Sequence, residues 1–351
     1  MRVVIHAGRH KTGTTSLQMA MDRSRDILAA AGIHYPAAPN GQHIGLLNLR
    51  QPGWTPERLL AERAFAVAAG AHTLFLSAEG LSVMSAEQLR RLGTALHEDE
   101  LTFLYCFRHW HNFWPSRWAQ NCKRRDTQGF ESYLDMIARA DLQHPDVYYD
   151  VVIERALSVA GAAVKAVSFD RAVPSAEGLL ATLLTAVELP SALVAAVVAN
   201  ERRENARYPW QVIEILRLLN GIIADAATLP QDDLCLAVAE SRRPKRSFEL
   251  AGVWPDLDAG LAASLTAIAD SHRVDRTLER RGLVAQASGR LARHAGLFAN
   301  AVEGQIFEAI PACTVTTTDL DWREFSRRHH GLAMEAIAQL SVIPRSAVAA
   351  P

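Results

Sequence analysis

A short stretch rich in glycine and hydroxyl side chains has the composition of a phosphate-binding loop. The sequence HAGRHKTGTTSLQ, residues 6–18, places Gly8 and Gly13 at the spacing of the nucleotide-binding pattern G-x-x-x-x-G-K-[ST]. Glycines let the backbone wrap closely around an anion, and the two threonines after Gly13 can donate hydrogen bonds to it. The lysine of the pattern is displaced, because Lys11 lies inside the loop. We therefore expect a phosphate-like ligand that is held differently from ATP.

The segments on either side of the loop are typical of a strand followed by a helix. Residues 2–7, RVVIHA, form a β-branched run that predicts a strand buried in a parallel sheet. Residues 14–31 carry apolar side chains at helical spacing, and Gly32 then supplies a C-terminal stop. This context favours a real phosphate site, because a helix N-terminus offers N–H donors and the positive end of its dipole.

Strands and helices continue to alternate further along the chain. Apolar runs at residues 72–77, 101–107 and 162–169 predict three more buried strands, with helical patterns between them. Such alternation favours a parallel sheet that is covered by helices on both faces. We predict an α/β fold: a P-loop-like parallel sheet flanked by helices, with a C-terminal helical cap.

The predicted organisation changes at about residue 224. Residues 1–224 contain all of the strand and helix alternation and form the predicted nucleotide-binding core. Residues 225–351 have no persuasive strand pattern, so we predict a helical extension that caps the same domain.

Composition narrows the range of partners. The net charge of −1 gives no overall attraction to nucleic acid or to anionic membranes. Four cysteines without C-x-x-C spacing favour a reduced compartment, and the chain begins with a short β-rich run rather than a signal peptide. The apolar segments are too short to span a bilayer. We therefore expect a cytoplasmic protein with no membrane span and no nucleic-acid partner.

The loop resembles the 5′-phosphosulfate loop of the sulfotransferases that use 3′-phosphoadenosine 5′-phosphosulfate (PAPS). That family's pattern, K-[TS]-G-[TS]-[TS], is met by residues 11–15. The resemblance implies transfer of a sulfuryl group from PAPS to an acceptor hydroxyl by in-line displacement, with a general base and no metal. Bacterial relatives with such a loop often modify carbohydrates, so the expected acceptor is a glycan or another hydroxylated molecule. The implied contacts to PAPS in the loop come from His10, Lys11, Thr12, Gly13, Thr14 and Thr15.

A second element fits the same family. Its members carry an arginine at a strand end and a serine eight positions later, which together hold the 3′-phosphate. Here Arg108 closes a predicted strand and Ser116 follows at that spacing. If Asn112 caps the next helix, Pro115 falls in the first turn, where its missing N–H costs nothing. Both residues are therefore predicted to bind PAPS.

Three residues are candidates for the general base. Glu79 follows the second buried strand, and in the family the base often ends the strand that precedes the arginine strand. His43 lies in a long loop after the first helix, and it could bind the acceptor or be the base itself. His10 lies beside the lysine of the loop. We rank Glu79 first and His43 second, and count Lys11 as catalytic because it can neutralise the leaving phosphate.

Two functions of other classes are alternatives to sulfuryl transfer. A P-loop kinase using ATP or GTP would have the same strand–loop–helix context, but its lysine would follow the second glycine. The predicted strands at residues 72–77 and 101–107 also contain no Asp that could help hold magnesium. A non-catalytic nucleotide-binding module is the remaining alternative.

Overall fold

The computed structural model describes residues 1–50, 53–202, 208–225, 254–278, 281–308 and 313–342. Within these ranges the chain forms seven strands: β1 Arg2–His6, β2 Ile33–His34, β3 Thr73–Ser77, β4 Glu100–Phe107, β5 Ala163–Ser168, β6 Arg273–Leu278 and β7 Cys313–Thr318. The α-helices of the same ranges are α1 Thr14–Arg23, α2 Arg25–Ala30, α3 Ile44–Leu47, α4 Glu57–Ala68, α5 Ala86–Ala95, α6 Trp110–Arg124, α7 Phe130–Ala138, α8 Tyr149–Leu157, α9 Phe169–Ala172, α10 Gly178–Ala186, α11 Ser191–Val198, α12 Trp210–Asp225, α13 Ala259–Ser271, α14 Arg281–Ala292 and α15 Trp322–Val342.

Five strands form the parallel sheet that the sequence predicts. Their order is β2-β3-β1-β4-β5, and every neighbouring pair is parallel. β3 is buried along its whole length, and β1 and β4 are buried except at their first residues. This near-continuous burial is what a sheet covered by helices requires, and it explains the unbroken apolar runs. The α/β fold class is confirmed.

The first predicted helix is split in two. α1 ends at Arg23 and α2 begins at Arg25, with the buried Ser24 between them. The Ser24 hydroxyl accepts a hydrogen bond from the Asn200 side chain, at 2.9 Å. Gly32 follows the end of α2, as predicted, and has a φ of +72°, a conformation that favours glycine.

The chain divides into two compact units, and the boundary between them does not fall at residue 224. The first unit comprises residues 1–110, 140–204 and 280–311, and the second comprises residues 111–139, 205–279 and 312–351. The whole parallel sheet belongs to the first unit. Each unit has an apolar core of its own, built around the sheet in the first and around α12 in the second.

The prediction of a purely helical C-terminal region was wrong. β6 and β7 form an antiparallel pair in the second unit, in the register Arg273↔Thr318 to Leu278↔Cys313. Their sequences, RVDRTL and CTVTTT, contain few apolar residues because much of each strand is exposed. An antiparallel pair with a solvated face lacks the continuous apolar run on which the prediction depended. Residues 226–253 of the predicted extension lie outside the described residues.

Candidate functional site

The predicted loop lies at the edge of the sheet where open α/β folds bind ligands. From β1 the chain continues to β2 and β3 on one side of the sheet, and from β4 it continues to β5 on the other. The carboxyl ends of β1 and β4 therefore flank a topological switch point, where a crevice forms. The glycine loop follows β1, and Arg108 follows β4. The fold thus brings the two predicted anion-binding elements to neighbouring strand ends of the first unit.

The backbone of the loop is shaped by two left-handed residues. Gly13 is the N-cap of α1 with a φ of +76°, and Lys11 has a φ of +67°. A lysine in this region of φ/ψ space carries strain, which proteins tend to keep at functional sites. The Thr12 hydroxyl donates to the Arg9 carbonyl at 2.7 Å, so this predicted ligand residue also braces the turn.

The N-terminus of α1 opens directly from the loop. Leu17 donates the first intrahelical hydrogen bond, to the Gly13 carbonyl at 3.3 Å. The N–H groups of Thr14 and Thr15 precede that bond and belong to the helix end that favours anions.

The loop is too closely packed to accept larger residues at its glycines. A Cβ at Gly8 would lie 2.2 Å from Thr14 Cγ2 and 2.6 Å from His6 Cε1. A Cβ at Gly13 would lie 2.3 Å from Leu179 Cδ2. Such approaches are shorter than carbon atoms tolerate, so the narrow turn depends on glycine at both positions.

Arg9 anchors the loop, and sequence reasoning missed it. Its guanidinium is buried and donates to the Pro145 carbonyl at 2.5 Å and to Asp146 Oδ1 at 2.6 Å. It also lies 4.5 Å from the ring centroid of Tyr149. A buried arginine needs such partners. The partners lie more than a hundred residues away, so no local pattern could have indicated them.

Glu79 follows β3 and lies beside the loop. Its Oε2 lies 2.7 Å from His10 Nδ1, and its Oε1 accepts a hydrogen bond from the Thr14 hydroxyl. Burial alone would raise the pKa of Glu79, but the hydrogen bonds from His10 and Thr14 outweigh it and lower the pKa. At neutral pH the carboxylate is therefore ionised and holds two side chains of the loop.

His43 lies near the same sheet edge, where its side chain is buried and hydrogen-bonded. It is 1% exposed, and the Ser77 N–H donates to its Nδ1 at 2.8 Å. Its Nε2 lies 2.9 Å from the Pro36 carbonyl, which can only accept, so Nε2 carries the proton. Both ring nitrogens are occupied, and burial lowers the pKa of His43. The side chain ties the long loop to β3, so the structure does not support it as the base.

Buried polar groups continue this network under the loop. His6 Nδ1 hydrogen-bonds with Ser77 Oγ at 2.8 Å, and Gln18 Nε2 donates to the same oxygen at 2.9 Å. Burial lowers the pKa of His6 to about 4, so the ring is neutral at physiological pH. Sequence reasoning missed these side chains, because they lie within a strand and a helix that looked like simple core elements.

Arg108 reaches the loop from the neighbouring strand end. Its Nη1 lies 3.4 Å from the Lys11 carbonyl, and its guanidinium lies 4.8 Å from the ring centroid of Phe169. The Tyr149 hydroxyl fixes the Arg108 backbone by donating to its carbonyl at 2.8 Å. A planar guanidinium placed in this way suits phosphate oxygens.

Ser116 lies in the second unit, on α6, so its predicted pairing with Arg108 stays a prediction. The predicted helix start was wrong: α6 begins at Trp110 and not after Asn112. Pro115 is therefore inside the helix rather than in its first turn. There it removes the N–H that would otherwise donate to the His111 carbonyl.

No family model matches the chain, and no curated protein or solved structure matches it either. None of the helices in the described ranges is long and apolar enough to cross a membrane. Among the described residues, no group of three or more His, Cys, Asp or Glu side chains could hold a metal ion. Evidence on function therefore comes from the residues and their geometry.

Proposed function

We propose that the chain is a PAPS-dependent sulfotransferase. The observation that carries the proposal is the loop after β1, in which a strained Lys11 precedes the N-terminus of α1 while Arg108 reaches the loop backbone from β4. These features provide a lysine, helix N–H donors and a guanidinium at neighbouring strand ends of the first unit. PAPS, with a phosphosulfate at one end and a second phosphate at the other, offers anionic groups to both the loop and Arg108.

Each residue of the site has a role in this proposal. The glycine loop and the N–H groups of Thr14 and Thr15 bind the 5′-phosphosulfate of the donor. Lys11 neutralises charge that develops on the leaving phosphate, which a preorganised cation can do without reorganisation. Arg108 binds the 3′-phosphate. When bound, PAPS supplies an activated sulfuryl group.

The acceptor that we propose is a hydroxyl group, on a glycan or on another hydroxylated molecule. Its proton must leave as the oxygen attacks sulfur, so a base has to lie next to the loop. Glu79 and His10 are in hydrogen-bond contact with each other there. They are therefore the proposed proton-accepting part of the site.

A P-loop kinase that uses a nucleoside triphosphate and acts on a small molecule is the second candidate, and one contact favours it. The Thr14 hydroxyl, at the start of α1, hydrogen-bonds to the carboxylate of Glu79 after β3. Triphosphate-using P-loop enzymes hold Mg²⁺ with a hydroxyl at this place in the loop and an acidic residue from a later strand. The sequence alone did not reveal this pairing, because Glu79 follows its strand instead of lying within it.

Metal-free binding separates the two candidates. Calorimetry in EDTA should show tight binding of 3′-phosphoadenosine 5′-phosphate and much weaker binding of ATP. Arg108→Ala should weaken the first ligand by roughly 10- to 150-fold, since a charge-assisted contact contributes about 1.5–3 kcal/mol. The affinity for adenosine 5′-phosphate, which lacks the 3′-phosphate, should fall much less.

The control for this binding experiment is Arg90→Ala, because Arg90 is an exposed arginine on α5 of the same unit. The affinity of Arg90→Ala for 3′-phosphoadenosine 5′-phosphate should equal that of the unmodified protein. Binding of ATP that requires Mg²⁺, with no preference for the 3′-phosphorylated nucleotide, would instead support the kinase.

A further inference from the structure

We propose that His10 is the catalytic base of this site and that Glu79 is its positioning residue. This inference rests on the proposed function, and it reverses the order in which the two residues are ranked from the sequence. It depends on the contact between the two side chains, on the exposure of His10 and on the occupancy of the Glu79 oxygens.

The two oxygens of Glu79 already hold other groups. Oε1 accepts from the Thr14 hydroxyl, and Oε2 lies 2.7 Å from His10 Nδ1. The carboxylate side chain is only 19% exposed. A carboxylate that is stabilised in this way is a weak proton acceptor, because taking a proton would disrupt both hydrogen bonds.

The same contact defines the tautomer of His10. The ionised carboxylate can only accept a hydrogen bond, so the proton of the neutral ring lies on Nδ1. Nε2 therefore carries the lone pair. The His10 side chain is 30% exposed, and no hydrogen bond of Nε2 occurs within the described part of the chain. A histidine oriented by a carboxylate, with its second nitrogen accessible, is the usual arrangement of a general base.

The other histidines near this sheet edge are less suitable. Both nitrogens of His43 are occupied, by the Ser77 N–H and the Pro36 carbonyl. His6 is completely buried and hydrogen-bonds with Ser77 Oγ. His10 is the histidine within the loop itself, next to Lys11.

His10 Nε2 takes the proton of the acceptor hydroxyl while the hydroxyl oxygen forms a bond to the sulfur of PAPS. The bond between sulfur and the bridging oxygen of the 5′-phosphate breaks, and that oxygen keeps the electron pair. The products are a sulfate ester of the acceptor, 3′-phosphoadenosine 5′-phosphate and a protonated His10, which then returns its proton to water. Glu79 stays ionised and stabilises the imidazolium.

Chemical rescue tests His10 directly. His10→Ala should lower sulfuryl transfer by about 10²- to 10⁴-fold, and added imidazole should restore part of the rate in a saturable manner. Saturable binding of 3′-phosphoadenosine 5′-phosphate shows that the variant is folded, and rates are compared at saturating PAPS so that a contact of His10 with the donor is not mistaken for loss of the base. Normal transfer by His10→Ala, or a loss that imidazole does not relieve while nucleotide binding is retained, would overturn the assignment.

The chain offers a matched control for this experiment. His34 also pairs with a carboxylate, through Nε2 to Glu62 Oε1 at 2.6 Å, and its side chain is 18% exposed. It lies on β2, at the edge of the sheet. His34→Ala should keep the transfer rate and should show no response to imidazole.

The tautomer can be measured without any activity. In protein labelled with ¹⁵N-histidine, the neutral His10 ring, assigned by the loss of its signal in His10→Gln, should carry its proton on Nδ1. Glu79→Gln should shift the population toward the Nε2–H form. A ring of the unmodified protein protonated on Nε2 would overturn the pairing. Failure to bind 3′-phosphoadenosine 5′-phosphate would instead reject the sulfotransferase proposal, so the two failures are distinguishable.

Discussion

At the scale of single residues, Lys11 combines a strained backbone with a functional side chain. Its φ of +67° is unfavourable for any residue with a Cβ, by about 1–2 kcal/mol. Lys11→Ala keeps that strain, whereas Lys11→Gly relieves it. We expect both variants to lose sulfuryl transfer, but the glycine variant to unfold at a higher temperature than the alanine variant. Differential scanning calorimetry measures the difference, and equal or reversed midpoints would mean that the backbone is not strained there.

Glu79 makes stability depend on pH in a defined direction. Its pKa in the folded state is lower than its ordinary value of 4.5, so its ionised form stabilises the fold. That contribution is fully present above pH 4.5 and is lost as the pH falls through the lower folded value. Glu79→Gln should therefore reduce the free energy of unfolding at pH 7, and the difference from the unmodified protein should shrink below pH 4.5. Urea titrations at several pH values measure it, and a constant difference would contradict this sign.

At the scale of the elements, the turn from β1 to α1 depends on close packing around Gly8. A Cβ there would lie 2.2 Å from Thr14 Cγ2 and 2.6 Å from His6 Cε1, so Gly8→Ala must displace these side chains at the turn. We expect a loss of about 1–3 kcal/mol in stability, together with loss of nucleotide binding. Gly289→Ala is the control, because a Cβ at that exposed position of α14 meets nothing within 4 Å. Urea denaturation and calorimetry give both quantities, and tolerance of Gly8→Ala would show that the turn can relax.

The sequence predicts those strands and helices that leave a local pattern of apolar or capping residues. β1, β3, β4 and β5 are buried strands, and each appeared as an apolar run. α5, which begins at a capping box formed by Ser85 and Gln88, lies between the apolar runs at 72–77 and 101–107, where the sequence shows a helical pattern.

Other features depend on distant partners and could not be predicted in this way. Arg9 is anchored on Pro145 and Asp146, and Glu79 meets His10 through the folding of β3 beside β1. β6 and β7 pair with each other across 34 intervening residues, and their partly exposed faces leave no apolar run. Local patterns thus indicate elements, whereas the polar contacts of the site follow from the topology of the sheet.

At the scale of the whole molecule, the second unit contains a buried ion pair of its own. Glu214 and Arg217 lie one turn apart on α12, 1% and 5% exposed, with Arg217 Nη2 donating to Glu214 Oε2 at 2.6 Å. The Thr318 hydroxyl on β7 donates to the same oxygen at 2.9 Å. Arg217→Met leaves a buried carboxylate without its cation and should cost about 3–5 kcal/mol.

The double variant Glu214→Met with Arg217→Met tests the reason for that loss. Removing both charges avoids an unpaired buried group, so most of the stability should return. Denaturant unfolding followed in both variants decides the matter. A double variant as unstable as Arg217→Met would mean that packing or the contact with Thr318, rather than the uncompensated charge, determines the effect.

The central claim, that the loop after β1 holds the sulfuryl donor, is tested most directly by transfer of label from ³⁵S-PAPS. The protein is incubated with a panel of glycans and small hydroxylated acceptors in EDTA, and radioactive products are separated from the donor. We expect labelled product from at least one acceptor, with a rate about 10²- to 10³-fold lower in Lys11→Ala, as for loss of a preorganised group that stabilises developing charge. A Lys11→Ala variant that transfers label at the unmodified rate, or a folded protein that neither transfers label nor binds 3′-phosphoadenosine 5′-phosphate, would contradict it.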